Sequence, residues 1–70
     1  MVITDTKDLG TAIRERRKSL GYTQAYLTEF SGLSVSFISD IERGKETAEI
    51  GKVLRLVNLL GMDLEVKPRQ

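Results

Sequence analysis

The stretch LSVSFISDIERG, residues 33–44, combines short hydroxyl side chains with two acids and one base. At 100° per residue, one side of a helix here is apolar and carries Phe37, Ile38 and Ile41. The opposite side carries Ser36, Ser39 and Arg43, with Val35 and Asp40 at its margins. A serine hydroxyl both donates and accepts, so such a face can hydrogen-bond to the edges of nucleic-acid bases. One base against two acids is nevertheless a weak charge balance for contact with a polyanion.

The chain lacks the residues from which catalytic and metal sites are usually built. It contains no Cys and no His, which removes thiolates, imidazole ligands and the commonest general base. It also has no glycine-rich phosphate loop, and a small core leaves no room for a pocket of roughly 300 Å³. We therefore expect no enzyme, no metal and no other cofactor.

The length of 70 residues predicts a single domain over residues 1–70. Such a chain buries only about 60% of its unfolded surface, so its core needs support. Without disulfides or a metal, oligomerisation is the support that remains. No apolar run reaches about 18 residues and no signal peptide opens the chain, so we expect no membrane partner and a cytoplasmic protein.

The net charge of +1 is unevenly distributed. Residues 1–22 carry five basic and three acidic side chains, residues 23–44 carry one and three, and residues 45–70 carry five and four. Any surface that binds nucleic acid must therefore draw its positive charge from the segments that flank residues 33–44.

Glycines that follow apolar-periodic runs predict the ends of four helices. These glycines are Gly21, Gly32, Gly44 and Gly61. The helices are predicted over residues 7–20 with Thr6 as N-cap, over 24–31 with Thr23 as N-cap, from Ser34 to Gly44, and from after Thr47 to Gly61. Leu27 and Phe30 are expected to be buried from the second helix. We attribute Gly10 and Gly51, inside predicted helices, to close approach of another helix.

Apolar and polar residues alternate over residues 62–67, which predicts a lone β-strand. Because a single strand leaves its backbone unpaired, the simplest partner is the same strand of a second copy. In the fourth helix, five residues are assigned to the core: Ile50, Val53, Leu54, Val57 and Leu60. Leu56 and Leu59 are left over, either as exposed leucines or as part of a dimer. The predicted homodimer interface comprises Leu56, Leu59, Met62, Leu64 and Val66.

The segment TQAYLTEFSGLSVSFISDIERGK, residues 23–45, resembles the helix-turn-helix of the Cro/XRE family of bacterial and phage repressors. The resemblance implies an all-α, small four-helix, lambda-repressor-like domain with its helix-turn-helix at about residues 23–43. It also implies that Glu42 pairs with Arg17 and fixes the angle of the third helix instead of contacting DNA. Thr28 stands where the family usually has Ala. The tail ETAEIGKVLRLVNLLGMDLEVKP is similar to that of HipB-like antitoxins, whose last strand pairs across the dimer.

The resemblance and the helix caps together give a set of candidate DNA contacts. Thr23 and Ser34 cap helices whose N-termini can present backbone N–H groups to phosphates. Gln24 resembles the family's phosphate-contacting residue, and Arg43 and Lys45 are expected to bind the DNA backbone. Base edges are expected to meet Ser34, Val35, Ser36 and Ser39. Asp40 either accepts a hydrogen bond from a cytosine amino group or faces water, and we expect water.

The expected partner is double-stranded DNA with an inverted-repeat operator, bound by a homodimer whose half-sites lie about 34–36 Å apart. The HipB resemblance adds a possible HipA-type kinase toxin as a partner and autoregulation of the promoter, in a nucleoid-associated cytoplasmic protein. Two alternatives remain open: a stand-alone phage-type or regulatory repressor, and a protein-interaction module that has lost DNA binding.

Overall fold

The computed structural model describes residues 1–70 and contains four helices and no strand. They are α1 (Thr6–Ser19), α2 (Gln24–Ser31), α3 (Val35–Glu42) and α4 (Ile50–Leu59). The all-α, four-helix prediction is confirmed. None of the helices is long and apolar enough to cross a membrane.

The predicted glycines end the helices as expected. Gly21, Gly32, Gly44 and Gly61 all have positive φ, between 71° and 85°. Gly44 is also tightly packed, since a Cβ added there would lie 2.7 Å from the Cα of Lys7. At this position both the backbone conformation and the neighbouring helix require glycine.

The start of α1 differs from the prediction. Asp5, not Thr6, is the N-cap, because its Oδ1 accepts a hydrogen bond of 2.7 Å from the backbone N–H of Asp8. The hydroxyl of Thr6 instead donates to the carbonyl of Gly44 at 2.8 Å. Thr6 therefore ties the start of α1 to the end of α3, close to the helix-turn-helix.

The core is built from one face of each helix. Nine apolar residues are buried in it: Ile13, Leu27, Leu33, Ile38, Ile41, Val53, Leu56, Val57 and Leu60. Phe30 was expected among them but is 45% exposed. It lies instead against Tyr26 on the outer side of α2, with the two ring centroids 5.3 Å apart.

The buried face of α4 is rotated relative to the prediction. Leu56 is fully buried, so its assignment to a dimer interface is wrong, whereas Ile50 and Leu54 are 64% and 39% exposed. The helix is apolar over more than half its circumference, so periodicity alone leaves the direction of the core ambiguous by about 50°. Packing against the other helices decides the direction, and the buried side is the one that carries Leu56.

The two helical glycines have different environments. A Cβ on Gly10 would collide with the carbonyl of Ile41 and lie 2.7 Å from that of Glu42. The close approach of α1 to α3 is therefore the reason for Gly10. Gly51 has nothing within 4 Å of such a Cβ, so close packing within the chain does not account for it.

Residues 62–67 do not form a strand within the chain. The N–H of Met62 donates to the carbonyl of Val57 at 3.1 Å, and residues 63–70 make no backbone–backbone hydrogen bond. Pairing defines a strand, and within the chain this segment has nothing to pair with.

Candidate nucleic-acid interface

The helix-turn-helix is formed by α2, a tight turn and α3. Gly32 ends α2 in the left-handed conformation, and the Ser31 hydroxyl accepts the N–H of Leu33 at 3.1 Å. From α4, the Arg55 guanidinium donates to the Ser31 carbonyl at 3.1 Å. The turn is thus held from inside by a serine and from outside by an arginine of another helix.

Both helices of this unit begin with a side-chain cap. The Thr23 hydroxyl accepts the N–H of Tyr26, and the Ser34 hydroxyl accepts the N–H of Phe37, each at 3.0 Å. Neither helix has an acidic residue in its first turn. The remaining N–H groups and the positive end of each helix dipole therefore stay available to an anion such as phosphate.

The start of α3 carries a short, exposed and uncharged surface. Ser34, Val35 and Ser36 are all exposed, with Val35 43% exposed. Small side chains allow close approach to a groove, hydroxyls can donate or accept, and a valine can pack on a thymine methyl group. The structure thus places these three predicted base-contacting residues together on one turn.

A buried network fixes α3 against the other helices. Arg17 donates from Nε to Oε2 of Glu42 at 2.7 Å and from Nη2 to Oε1 at 2.9 Å. The side chains are 9% and 3% exposed, respectively. Hydrogen bonding to Glu42 raises the pKa of Arg17 above its usual range, against an opposing effect of burial. Glu42 is therefore a structural residue turned away from any groove.

The network also includes Gln24, the first residue of α2. Its amide donates from Nε2 to Oε1 of Glu42 at 3.1 Å, and its side chain is half-buried. An amide nitrogen has two N–H groups, so one stays available to a phosphate. No local sequence pattern indicates this link between α2 and α3, because Gln24 and Glu42 lie 18 positions apart along the chain.

The C-terminal end of α3 holds a second, exposed ion cluster. Asp40 accepts from Arg43 at 2.8 Å and from Lys45 at 3.5 Å. Arg43 also donates to the hydroxyl of Ser39 at 2.8 Å. Asp40 was expected to face water, but it neutralises the two basic residues expected to hold phosphates. Its spacing from Arg43, three residues on one helix, was the signal that could have revealed the pair.

The family comparison agrees with this geometry. A family model described as helix-turn-helix matches residues 13–67. The chain belongs to the Cro/XRE-type helix-turn-helix family of transcriptional regulators. It is 39% identical over 59 residues to y4mF, an uncharacterised HTH-type transcriptional regulator of Sinorhizobium fredii, covering 84% of this chain and 78% of that protein. Members are DNA-binding regulators and not enzymes.

A phage protein and two HipB structures are also similar to the chain. The ImmF control region 10 kDa protein of Bacillus phage phi105 is 32% identical over 62 residues, covering 89% of this chain and 69% of that protein. The HipB–O4 20mer complex and the HipA–HipB–O2–O3 complex each match with a TM-score of 0.89 and 18% identity. Both matches cover 100% of this chain and 99% of the other. At this identity the likeness establishes the fold.

The other residues predicted for a dimer interface lie outside the helix-turn-helix of this XRE-family domain. Leu59, Leu64 and Val66 are 39%, 42% and 94% exposed, whereas Met62 is partly buried against the core. Unlike Leu56, all four retain apolar surface near the end of α4 or beyond it. They remain candidates for contact with a second copy.

Proposed function

We propose that the chain is a homodimeric transcriptional repressor that binds an inverted-repeat operator in double-stranded DNA. The observation that carries the proposal is the uncharged first turn of α3, exposed at Ser34, Val35 and Ser36. A reading helix with this surface gains little affinity from its own charge. The phosphates are bound instead by the helix N-termini capped by Thr23 and Ser34 and by residues on either side of α3.

The flanking contacts are assigned as follows. Gln24 donates its second amide N–H to a phosphate. Arg43 and Lys45 break their ion pairs with Asp40 and bind phosphates of the DNA backbone beyond α3. Ser39 contributes its hydroxyl at the far end of the reading face. Few contacts discriminate strongly between bases, so the homodimer supplies specificity by reading two half-sites about 34–36 Å apart.

A titration with DNA from the upstream region of the chain's own gene tests the proposal, at two salt concentrations. A phosphate-binding repressor loses affinity steeply as salt rises. Ser36→Glu, which adds a negative charge to the reading face, is expected to weaken binding at least about tenfold. Thr11→Glu makes the same charge change at an exposed position of α1 and is expected to have less than about a threefold effect. Absence of a salt-sensitive isotherm would favour a protein-interaction module without DNA binding.

We further propose that this repressor is the antitoxin of a HipBA-like system, which autoregulates its promoter and binds a HipA-type kinase toxin in the cytoplasm, associated with the nucleoid. The fold likeness to HipB and the resemblance of residues 46–68 support this assignment. The similarity to the ImmF control region 10 kDa protein of a Bacillus phage favours the second candidate, a stand-alone phage-type repressor. Affinity purification of the chain from its native host distinguishes the two. Recovery of a stoichiometric kinase supports the antitoxin, and recovery of the chain with DNA alone supports the stand-alone repressor.

A further inference from the structure

Three aromatic rings cluster on the outer side of α2, outside the residues assigned to DNA. They belong to Tyr22, Tyr26 and Phe30, which we call the aromatic patch. The ring centroids of Tyr22 and Tyr26 lie 4.9 Å apart, and that of Phe30 lies 5.3 Å from Tyr26 and 6.2 Å from Tyr22. Tyr22 packs against the core, whereas Tyr26 and Phe30 are 47% and 45% exposed. Aromatic side chains are enriched where proteins meet, so the patch is a candidate contact surface.

The aromatic patch is held in place by its neighbours. Its rings contact one another in tilted and edge-to-face arrangements. The backbone carbonyl of Tyr22 accepts a hydrogen bond of 2.9 Å from Nη1 of Arg17, whose guanidinium also binds Glu42. Side chains that are already ordered lose little conformational freedom on binding. The patch therefore suits a protein contact of small area.

The charge of α2 disfavours DNA as the molecule that covers the patch. Glu29 is the only charged residue of this helix, and it is exposed and makes no ion pair. A carboxylate repels phosphates, and a phenylalanine ring has no hydrogen-bonding group to offer them. The surface that covers the patch is therefore expected to be a protein.

The aromatic patch and most of the proposed dimer interface lie on opposite sides of α4. Arg55 and Val57 are two residues apart, so their side chains project about 160° apart around the helix. Arg55 donates to the carbonyl of Ser31 in α2, whereas Val57 lines an apolar cleft formed with residues 1–4 and 62–69. Three of the four remaining dimer candidates belong to the walls of that cleft. A homodimer formed there leaves the patch of each chain uncovered.

The area of the patch decides which protein can cover it. An aromatic side chain has a surface of about 150–250 Å², so the exposed parts of Tyr26 and Phe30 offer about 140–230 Å² per chain. Two such patches bury at most about 460 Å² together, far less than the roughly 1,200 Å² of a stable complex. The contact is too weak to hold a freely diffusing partner. It is strong enough between proteins that are already held side by side, where the effective concentration is about millimolar.

We propose that the aromatic patch joins repressor dimers bound at neighbouring operators on one DNA, so that the dimers bind cooperatively. Tyr26 and Phe30 are four residues apart, which is about 6 Å along α2. A two-fold axis between two antiparallel α2 helices places Tyr26 of each chain opposite Phe30 of the other, so the patch is complementary to itself. The inference rests on the proposed DNA-binding homodimer and adds a second, weaker contact between copies.

Quantitative footprinting on DNA that carries one operator or two tests the proposal. The operator is the sequence that the native chain protects in the upstream DNA of its own gene. The spacing between two copies of it is varied one base pair at a time over a helical turn. We expect occupation of one operator to raise the affinity for the other at least about tenfold at one spacing, and less than about twofold half a turn away.

Two variants of the patch and one control accompany the native chain. Tyr26→Ala/Phe30→Ala removes both exposed rings and should reduce the cooperativity below about twofold, while binding to a single operator stays within about threefold of native. Tyr26→Phe/Phe30→Tyr keeps both rings and should retain the cooperativity. Ile50→Ala removes a side chain of α4 that is 64% exposed outside the patch, and it should behave as the native chain does.

The outcomes separate this inference from the proposed function. Failure to bind a single operator would overturn the repressor and the inference together. Independent binding to two operators at every spacing would overturn the inference and leave the repressor intact, and so would cooperativity that survives removal of both rings. Loss of a co-purified kinase from Tyr26→Ala/Phe30→Ala would assign the patch to that partner and would also overturn the inference.

Discussion

Removal of the Glu42 carboxylate tests how much the domain depends on its one buried ion pair. Glu42→Ala leaves the guanidinium of Arg17 in a site where its side chain is only 9% exposed. It also removes the acceptor of the Gln24 amide. Breaking a buried pair by deleting one partner costs about 3–5 kcal/mol, because an uncompensated charge stays buried.

The size of the domain makes this loss severe. At about 0.05–0.15 kcal/mol per residue, a domain of this length has a free energy of unfolding of about 3.5–10 kcal/mol. Glu42→Ala is therefore expected to remove at least about a third of the free energy of unfolding. The double variant Arg17→Met/Glu42→Met buries no charge, so it is expected to be more stable than Glu42→Ala.

Urea unfolding followed by far-UV circular dichroism measures these differences. Glu46→Ala, which removes an exposed acid with no hydrogen bond, is the matched control and should change stability by less than about 0.5 kcal/mol. The reasoning would be refuted if Glu42→Ala cost less than about 1 kcal/mol, or if the double variant were no more stable than the single one.

Three further predictions concern packing, charge and pH. Gly10→Ala places a Cβ against two carbonyls at the end of α3 and should destabilise by about 1–3 kcal/mol, whereas Gly51→Ala meets nothing and should stabilise by about 0.5–1 kcal/mol in thermal unfolding. Asp40→Asn releases the two basic side chains it binds and should raise DNA affinity about 1.5- to 5-fold at low salt. Hydrogen bonds from the backbone N–H and the hydroxyl of Thr4 lower the pKa of the Asp8 carboxyl below 3.8. The ionised Asp8 carboxylate therefore contributes fully to stability above pH 3.8, and this contribution is lost as pH falls through the lower pKa of the folded state. In Asp8→Asn the melting temperature should depend less on pH below 3.8.

Each of these predictions has a contradicting result. Equal stability of the two alanine variants would mean that α1 and α3 are not in close contact at Gly10. Unchanged or weaker DNA binding by Asp40→Asn would mean that the basic residues beyond α3 do not reach phosphates. If the melting temperature fell with pH in the same way in the native chain and in Asp8→Asn, the Asp8 carboxylate would not contribute to the loss of stability in acid.

Local chemistry made the helix-turn-helix predictable. Thr23 and Ser34 cap because their hydroxyls reach the N–H groups three residues on, and Gly32 turns the chain because glycine tolerates positive φ. The pairing of Arg17 with Glu42 came from the family resemblance, since no local pattern connects residues 25 positions apart. The structure shows the contact itself and adds Gln24 to it.

Long-range packing explains what the sequence did not reveal. Leu56 was assigned to an interface because α4 is apolar over too wide an arc for periodicity to identify the core side. Phe30 was assigned to the core, yet it packs edge-to-face against Tyr26 on the surface. Arg55 was not singled out, because nothing near it indicates that its guanidinium reaches the carbonyl of Ser31. In each case the position of another helix decides.

Dependence of DNA binding on half-site spacing is the most direct test of a dimeric repressor that reads DNA with α3. The native chain would be titrated with an inverted repeat whose half-site centres lie one helical turn apart, and with the same repeat carrying a half-turn insertion. We predict tight, salt-sensitive binding to the first DNA and at least about a hundredfold weaker binding to the second, because the two reading helices then face different sides of the duplex. Equal affinity for both would show that the chain does not read DNA as a rigid dimer.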